Sequence, residues 1–194
     1  MGGQVAWSRS GYLVAIAAIL NFLATPIQAA TVRFSPTISS VVIGSTFSMN
    51  ILGAGFNSGD LDGGGINFTY DSSVVSVLGV TINTADWEFA PSAGTINNIA
   101  GTVTGIVFNS FSSRTGSLTF ATVQFSAVGA SGSVSSLGLS EYAPNPFASG
   151  GKGYPGLSFD QTGSIAIVPL PSALWLFASA MMSLGGLARR LSPS

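Results

Sequence analysis

The sequence predicts an all-β fold: an antiparallel β-sandwich or jelly roll of about nine strands, carried between two apolar ends. Three observations predict it. Residues 30–167 hold short runs in which apolar and small polar residues alternate, the pattern of strands with one buried face. Clusters of Gly, Asn, Asp and Ser separate the runs, as turn residues do. No convincing helical period of about 3.6 residues runs through this body.

The strands follow in order. TFSMNI alternates Phe47, Met49 and Ile51 with small polar residues, and INFTY sets Ile66, Phe68 and Tyr70 against Asn67 and Thr69. After the turn-like Asp71-Ser72-Ser73 comes the valine-rich VVSVLGV. TVTGIVFNSF and SLTFATVQFSA make two more strands, the second with Leu118, Phe120, Val123 and Phe125 on its apolar side. SVSSLGLS and GSIAIV complete the set. Seven to nine strands with one apolar and one Ser/Thr/Asn face imply two sheets packed face to face.

The two ends read differently. Residues 1–29 have a weakly positive start at Arg9, an apolar stretch from Gly11 to Ala24 broken only by Asn21, then Pro26 and small residues. This is the layout of a secretory signal peptide, with cleavage expected after Ala29 or the neighbouring Ala30. Residues 168–191 begin with Val168-Pro169-Leu170-Pro171, continue through an uncharged run to Ala188, and close on Arg189 and Arg190. As a helix, Pro171 to Ala188 would span roughly 27 Å, near the ~30 Å of a bilayer core. Pro171 suits a first helical turn, and Trp175 falls where interfacial aromatics sit. Arg189 and Arg190 would stay on the cytoplasmic side, which leaves the body outside, in agreement with the N-terminal signal.

Composition narrows the function. The 194-residue chain has no Cys and no His, and only 7% of it is charged. Disulfides, thiolate metal sites and histidine chemistry are thereby excluded. The body carries three cations (Arg33, Arg114, Lys152) against seven anions, a net charge of −4. With no basic patch, nucleic-acid binding is excluded as a function class.

Two stretches resemble known families. The tail VPLP…WLF…LGGLARR resembles the PEP-CTERM sorting signal of Gram-negative bacteria: a Pro-x-Pro motif, a membrane run and a basic cluster. Leu170 stands where that pattern has Glu, which leaves the cleaved bond open. The resemblance implies recognition by an exosortase, a membrane cysteine protease/transpeptidase, and association with extracellular polysaccharide production. Residues 41–81 (VVIGSTFSMNILGAGFNSGDLDGGGINFTYDSSVVSVLGVT) and 115–141 (TGSLTFATVQFSAVGASGSVSSLGLSE), with GSIAIV as the last strand, are similar to cohesin domains. That resemblance implies a nine-stranded jelly roll akin to carbohydrate-binding modules, in a family that binds dockerin modules through one sheet face. No dockerin is visible in this chain.

Candidate chemistry is sparse. Asp60 and Asp62, two apart in the Gly-rich NSGDLDGGG loop, present two carboxylates to a cation such as calcium, but the rest of a calcium loop is missing; a solvated turn is the simpler expectation. Seven scattered acids form no distinguishable acid–base pair, and serine has no His or Lys base beside it. Lys152 in GGKGYPG is followed by Gly153, not Ser or Thr, so no phosphate loop is expected. Trp87, Phe89, Tyr142, Phe147 and Tyr154 lie in loop-like segments, either stacking on sugars or capping the ends of the core.

The expectation is therefore an exported, non-catalytic protein without cofactor or metal. It passes through an inner-membrane intermediate to the cell envelope or extracellular matrix of a Gram-negative bacterium, sorted by an exosortase and binding exopolysaccharide or a protein partner. Two rivals stand beside it. One is a cohesin-like protein–protein module held permanently in the membrane. The other is a secreted carbohydrate-binding module linked to polysaccharide breakdown.

Overall fold

A computed structural model describes residues 29–169 and, beyond them, residues 176, 177, 179, 181 and 182; of residues 57–60 it describes the backbone alone. Twelve strands follow in chain order: β1 (Thr31–Ser35), β2 (Ile38–Val42), β3 (Thr46–Thr69), β4 (Val75–Ile82), β5 (Ser92–Asn97), β6 (Thr102–Ala127), β7 (Val134–Ser136), β8 (Gly138–Glu141), β9 (Ala148–Ser149), β10 (Lys152–Gly153), β11 (Ser158–Phe159) and β12 (Ser164–Val168).

The architecture turns on β3 and β6, strands of 24 and 26 residues where five or six is usual. They pair antiparallel along their whole course, with register shifts between Gly53 and Phe56, Phe56 and Leu61, and Leu61 and Gly63. Extra residues in one strand bend it and sharpen its twist, so the ribbon passes from one layer of the sandwich into the other. The expected strand pairs TFSMNI/INFTY and TVTGIVFNSF/SLTFATVQFSA are thus the two halves of β3 and of β6. The first layer runs β8–β3–β6–β5 through Gly63–Thr69 and Thr102–Asn109. The second runs β4–β6–β3–β1–β11 through Thr46–Gly53 and Leu118–Ser126. A small sheet β2–β12–β7 closes one side.

The core lies between the layers. Phe108 and Phe120, from opposite halves of β6, stack across it with centroids 4.3 Å apart. Phe34 of β1 meets Phe68 of β3 edge-on at 5.5 Å. Each fully buried ring removes apolar area worth about 2–3 kcal/mol from water.

The fold corrects the sequence reading in two respects. β1, β2 and β5 are strands that the alternation did not single out. β1 does alternate, with Val32 and Phe34 buried and Arg33 exposed, but over five residues only, and β5 has Ile96 as its only large apolar residue. The sheets are also not purely antiparallel: β1 pairs β11, and β2 pairs β12, in parallel. N-terminal and C-terminal segments thus run side by side in both sheets, β1 with β11 and β2 with β12, and pairing between remote segments leaves no local pattern.

Candidate interaction surfaces

The outer face of the first layer is built from residues opposite the buried Ile66, Phe68, Val103, Ile106 and Phe108. It presents Thr69, Thr95, Thr104 and Ser140 as exposed side chains, with Asn67 and Val107 half-buried. Asn67 ties three strands together. Its Nδ2 donates to the Glu141 carbonyl at 3.2 Å, and its Oδ1 accepts the Gly105 N–H at 2.9 Å. Gly105 sits at φ +76°, in the left-handed region that favours glycine. The Tyr142 ring lies over this spot. A Cβ on Gly65 would approach Tyr142 to 3.0 Å, and one on Gly105 would reach it at 3.4 Å. The two glycines make a floor for a half-exposed ring, and tyrosine is among the residues that dominate protein interfaces.

The outer face of the second layer holds a shallow depression of about 510 Å³, lined among others by Asn50, Thr81, Thr84, Thr119 and Thr122. Its polar groups are ordered: Thr122 Oγ1 donates to Asn50 Oδ1 at 2.8 Å. Asn83 Nδ2 donates to Asp86 Oδ2 at 2.7 Å and to the Thr119 carbonyl at 3.3 Å. No charged side chain lines it, so it offers hydroxyl and amide hydrogen bonds without charge steering.

The end of the sandwich where β3 and β6 cross between layers carries the ionic groups. Arg114 lies 3.7 Å from both Asp86 and Glu88. Glu88 also accepts the Phe111 N–H at 2.9 Å and the Ser110 hydroxyl at 3.1 Å. The Phe111 amide first of all, with Ser110 and Arg114 adding to it, holds the Glu88 carboxyl below its ordinary range. This arrangement displays Phe89 and Phe111, with centroids 4.7 Å apart, as an exposed aromatic pair. Ala90 beside it adopts φ +47°, a conformation that costs a non-glycine residue about 1 kcal/mol or more.

The residues singled out from sequence separate clearly. Asp62 accepts the Ser113 hydroxyl at 2.6 Å; that bond, with the Gly150 and Gly151 amides, lowers its pKa. Its lone pairs meet donors, unlike a cation cage, and it lies within β3 rather than in the loop or solvated turn expected from the Gly-rich NSGDLDGGG, because this stretch stays in the long β3–β6 ribbon. The Asp60 side chain lies outside the described residues, and among those no group of three acidic side chains converges. Trp87, Phe147 and Tyr154 are core residues, not a sugar platform. Trp87 packs on Phe108 at 5.0 Å and donates from Nε1 to the Thr119 carbonyl at 2.9 Å. Phe89 and Tyr142 do reach the surface. Ala29 is exposed and Ala30 buried; the Ala30 carbonyl accepts the Ser158 N–H at 2.8 Å. Val168 ends β12, pairing with Val42, and Pro169 follows it exposed. Leu170, Pro171, Trp175, Arg189 and Arg190 lie outside the described residues. Among those, no helix is long and apolar enough to cross a membrane. Sequence reasoning missed Arg114, Phe111 and the Asn67 bridge. An Arg in a nearly uncharged chain was the one available signal.

Two layers joined by continuous long strands, with terminal strands pairing in parallel, define a cohesin-like β-sandwich, and solved structures agree. CaCohA2 of Clostridium acetobutylicum in solution is 15% identical, with 73% of this chain and 92% of that chain covered and a TM-score of 0.59. A complex of CaDoc0917 with CaCohA2 gives 16% identity, 72% and 99% coverage, and 0.60. The third cohesin of ScaC, in complex with the ScaB dockerin of Acetivibrio cellulolyticus, gives 17%, 72% and 99%, and 0.56. At these identities the likeness is one of fold. No protein-family model and no curated protein matches the chain.

Proposed function

We propose that the chain is an exported, non-catalytic binding module that holds a protein partner on the outer face of β8–β3–β6–β5. The observation that carries this is the Tyr142 ring laid over Gly65 and Gly105, on a face of hydroxyl and amide groups. Cohesins of the same fold are found in complex with dockerins, which supports a protein as the ligand class. Binding there needs surface complementarity alone; no covalent step is involved. Immobilised chain, offered the surface proteins of the producing bacterium, is expected to retain a partner that Tyr142→Ala and Thr104→Arg release. Undiminished binding by both variants would move the site off this face.

A second reading, exopolysaccharide binding, is favoured by the depression at Asn50 and Thr122, whose uncharged hydrogen-bonding groups suit sugar hydroxyls. Calorimetry with the producer's own polysaccharide tests it, Asn50→Ala being the variant expected to lose heat of binding.

The export reading is part of the same proposal. A cut after Ala29 keeps Ala30, whose carbonyl Ser158 uses; a cut after Ala30 would discard it. Residues 168–191 act as the sorting signal, read by an exosortase at an inner-membrane intermediate before release to the envelope or matrix. A cut beyond Val168 spares every strand. Mass spectrometry of surface material decides between release and a permanent anchor: recovery of a peptide ending at Arg190 would refute cleavage. A producing genome without an exosortase would refute the sorting step.

A further inference from the structure

The end of the sandwich opposite the ionic groups is where β12 finishes. It is assembled from the β2–β3 turn, the 70–74 turn, the β5–β6 turn and the β6–β7 loop. Backbone hydrogen bonds link these loops in a chain: Tyr70 N–H to the Gly101 carbonyl, Val128 N–H to Val74, Gly44 N–H to Ala127, and Gly132 N–H to Ile167. The last of these joins the loops to the exit strand itself.

Three loops carry a large apolar residue pointed at solvent: Ile43 at 48%, Val128 at 50% and Ile99 at 96% exposure. Single exposed apolar residues are ordinary. These three share one end, and the segments that build it (37–50, 71–77, 95–104, 122–137 and 163–168) contain Asp71 as their one charged residue. Asp71 is turned to its own loop, accepting the Ser73 N–H and hydroxyl at 2.9 and 2.6 Å.

Ile99 is held out rigidly. Asn97 Oδ1 accepts the Ile99 and Ala100 amides at 3.1 and 3.0 Å. Asn98 accepts the Val77 N–H and donates to the Val77 carbonyl at 2.8 and 3.0 Å, clamping the turn to β4. Tyr70 adds a hydroxyl donor to Asn98 at 2.6 Å. The turn is thus specified by its asparagines, and the apolar tip contributes nothing to it.

What would cover these tips follows from the chain. Pro171, where the 18-residue uncharged run begins, is three residues past Val168. Of that run, the described side chains of Leu176, Phe177, Met181 and Met182 are all more than half exposed, so the sandwich does not shelter them. We propose that this end of the body rests on a lipid bilayer surface, with Ile43, Ile99 and Val128 inserted among the headgroups around the point where the chain enters. Apolar tips on a nearly uncharged rim favour a zwitterionic interface without a basic patch. Docked this way, the body sets Val168–Pro171 at the membrane surface, within reach of a membrane-embedded protease. The inference rests on reading 171–188 as a membrane segment, and the experiment separates the two.

The chain has no cysteine, so single-thiol variants report one position each. Ile99→Cys, Ile43→Cys, Phe111→Cys and Met181→Cys, each carrying an environment-sensitive fluorophore, are prepared in the full chain with phosphatidylcholine vesicles. The expected result is a blue shift and quenching by brominated lipid at positions 99, 43 and 181, with position 111 remaining aqueous. Aqueous emission at 99 and 43 with quenching at 181 overturns the docked end and leaves the membrane segment standing. Aqueous emission at all four overturns both. Quenching at 99 and 43 without 181 supports docking and removes the membrane segment. A blue shift without vesicles that grows with protein concentration assigns the tips to a second copy and overturns the proposal. Ile43→Ser with Ile99→Ser is expected to weaken quenching at a fluorophore on Val128→Cys about tenfold, in line with loss of two apolar anchors; unchanged quenching counts against it.

Discussion

The two ends of the sandwich solve the same problem with opposite chemistry. Each must close the core where the strands turn. At the crossover end Glu88 and Asp62 accept from amides and hydroxyls and Arg114 pairs with Asp86 and Glu88, over a floor of Trp87, Phe108 and Phe120. At the exit end the closure uses mostly neutral groups: Asn97, Asn98, the Tyr70 hydroxyl and the buried Ser135, whose hydroxyl accepts the Asp71 N–H at 2.9 Å, with Asp71 as the one carboxylate. Charged groups hold a turn while advertising it to water. Neutral amides hold it equally well and leave an apolar rim, which a lipid or protein surface can cover. The few charges of this chain are thus unevenly placed: Asp86, Glu88 and Arg114 cluster at the crossover, and Asp71 alone stands at the exit.

That comparison breaks most readily at its floor. Trp87→Ala is expected to cost about 3–5 kcal/mol in equilibrium urea unfolding, because a fully buried ring and its Nε1 bond are lost together. A loss below about 1 kcal/mol would mean that the charged loops stand without the core beneath them. At the exit end, Gly101→Ala is expected to cost about 1–3 kcal/mol. Gly101 sits at φ +66°, and a Cβ there would run into the Tyr70 carbonyl. The same measurement checks it, and a neutral result would deny that this turn is rigidly specified.

Acid sharpens the contrast. The Asp62 and Glu88 pKa values are lowered in the fold. A depressed carboxylate contributes stability that is present above its unfolded value, about 4, and is lost as pH falls through the folded value. Hydrogen exchange should therefore show the Phe111, Gly150 and Gly151 amides losing protection below about pH 4, while the Gly132 and Val128 amides keep theirs. Glu88→Gln should make Phe111 protection independent of pH. The Ser73 amide on Asp71 is the one exit-end group expected to follow the acid trend, since that pKa is lowered by the Ser73 hydroxyl and amide. The smallest effect belongs to Ile99→Ser, which should leave the unfolding free energy within about 0.5 kcal/mol and the melting temperature unchanged, while removing an apolar tip.

Most of the interior was legible in the sequence. Phe47, Met49, Ile51, Ile66, Phe68, Phe120, Val123 and Phe125 all face the core or pack against it, where alternation put them. A buried strand face needs apolar residues at period two whatever its neighbours are. The aromatic residues in loops were legible only as a choice. Trp87 and Phe147 are buried against Phe108 and Phe120 at the crossover, whereas Phe89 packs on Phe111 at the surface, and these partners all come from β6, remote in sequence. Arg114 and Glu88 are 26 residues apart, and nothing local in either segment announces their meeting.

By itself the sequence determined the all-β class, the position of most strands, the uncharged faces and the absence of histidine and thiol chemistry. Those follow from side-chain type and short-range periodicity, which act on each segment alone. The packing of whole layers decided that β3 and β6 each serve both layers, that β1 pairs β11 and β2 pairs β12 in parallel, that Tyr142 covers two glycines, and that Ile43, Ile99 and Val128 share one end. These depend on pairings between residues dozens of positions apart. Such contacts are selected by the packing of whole layers, which no single stretch of sequence encodes.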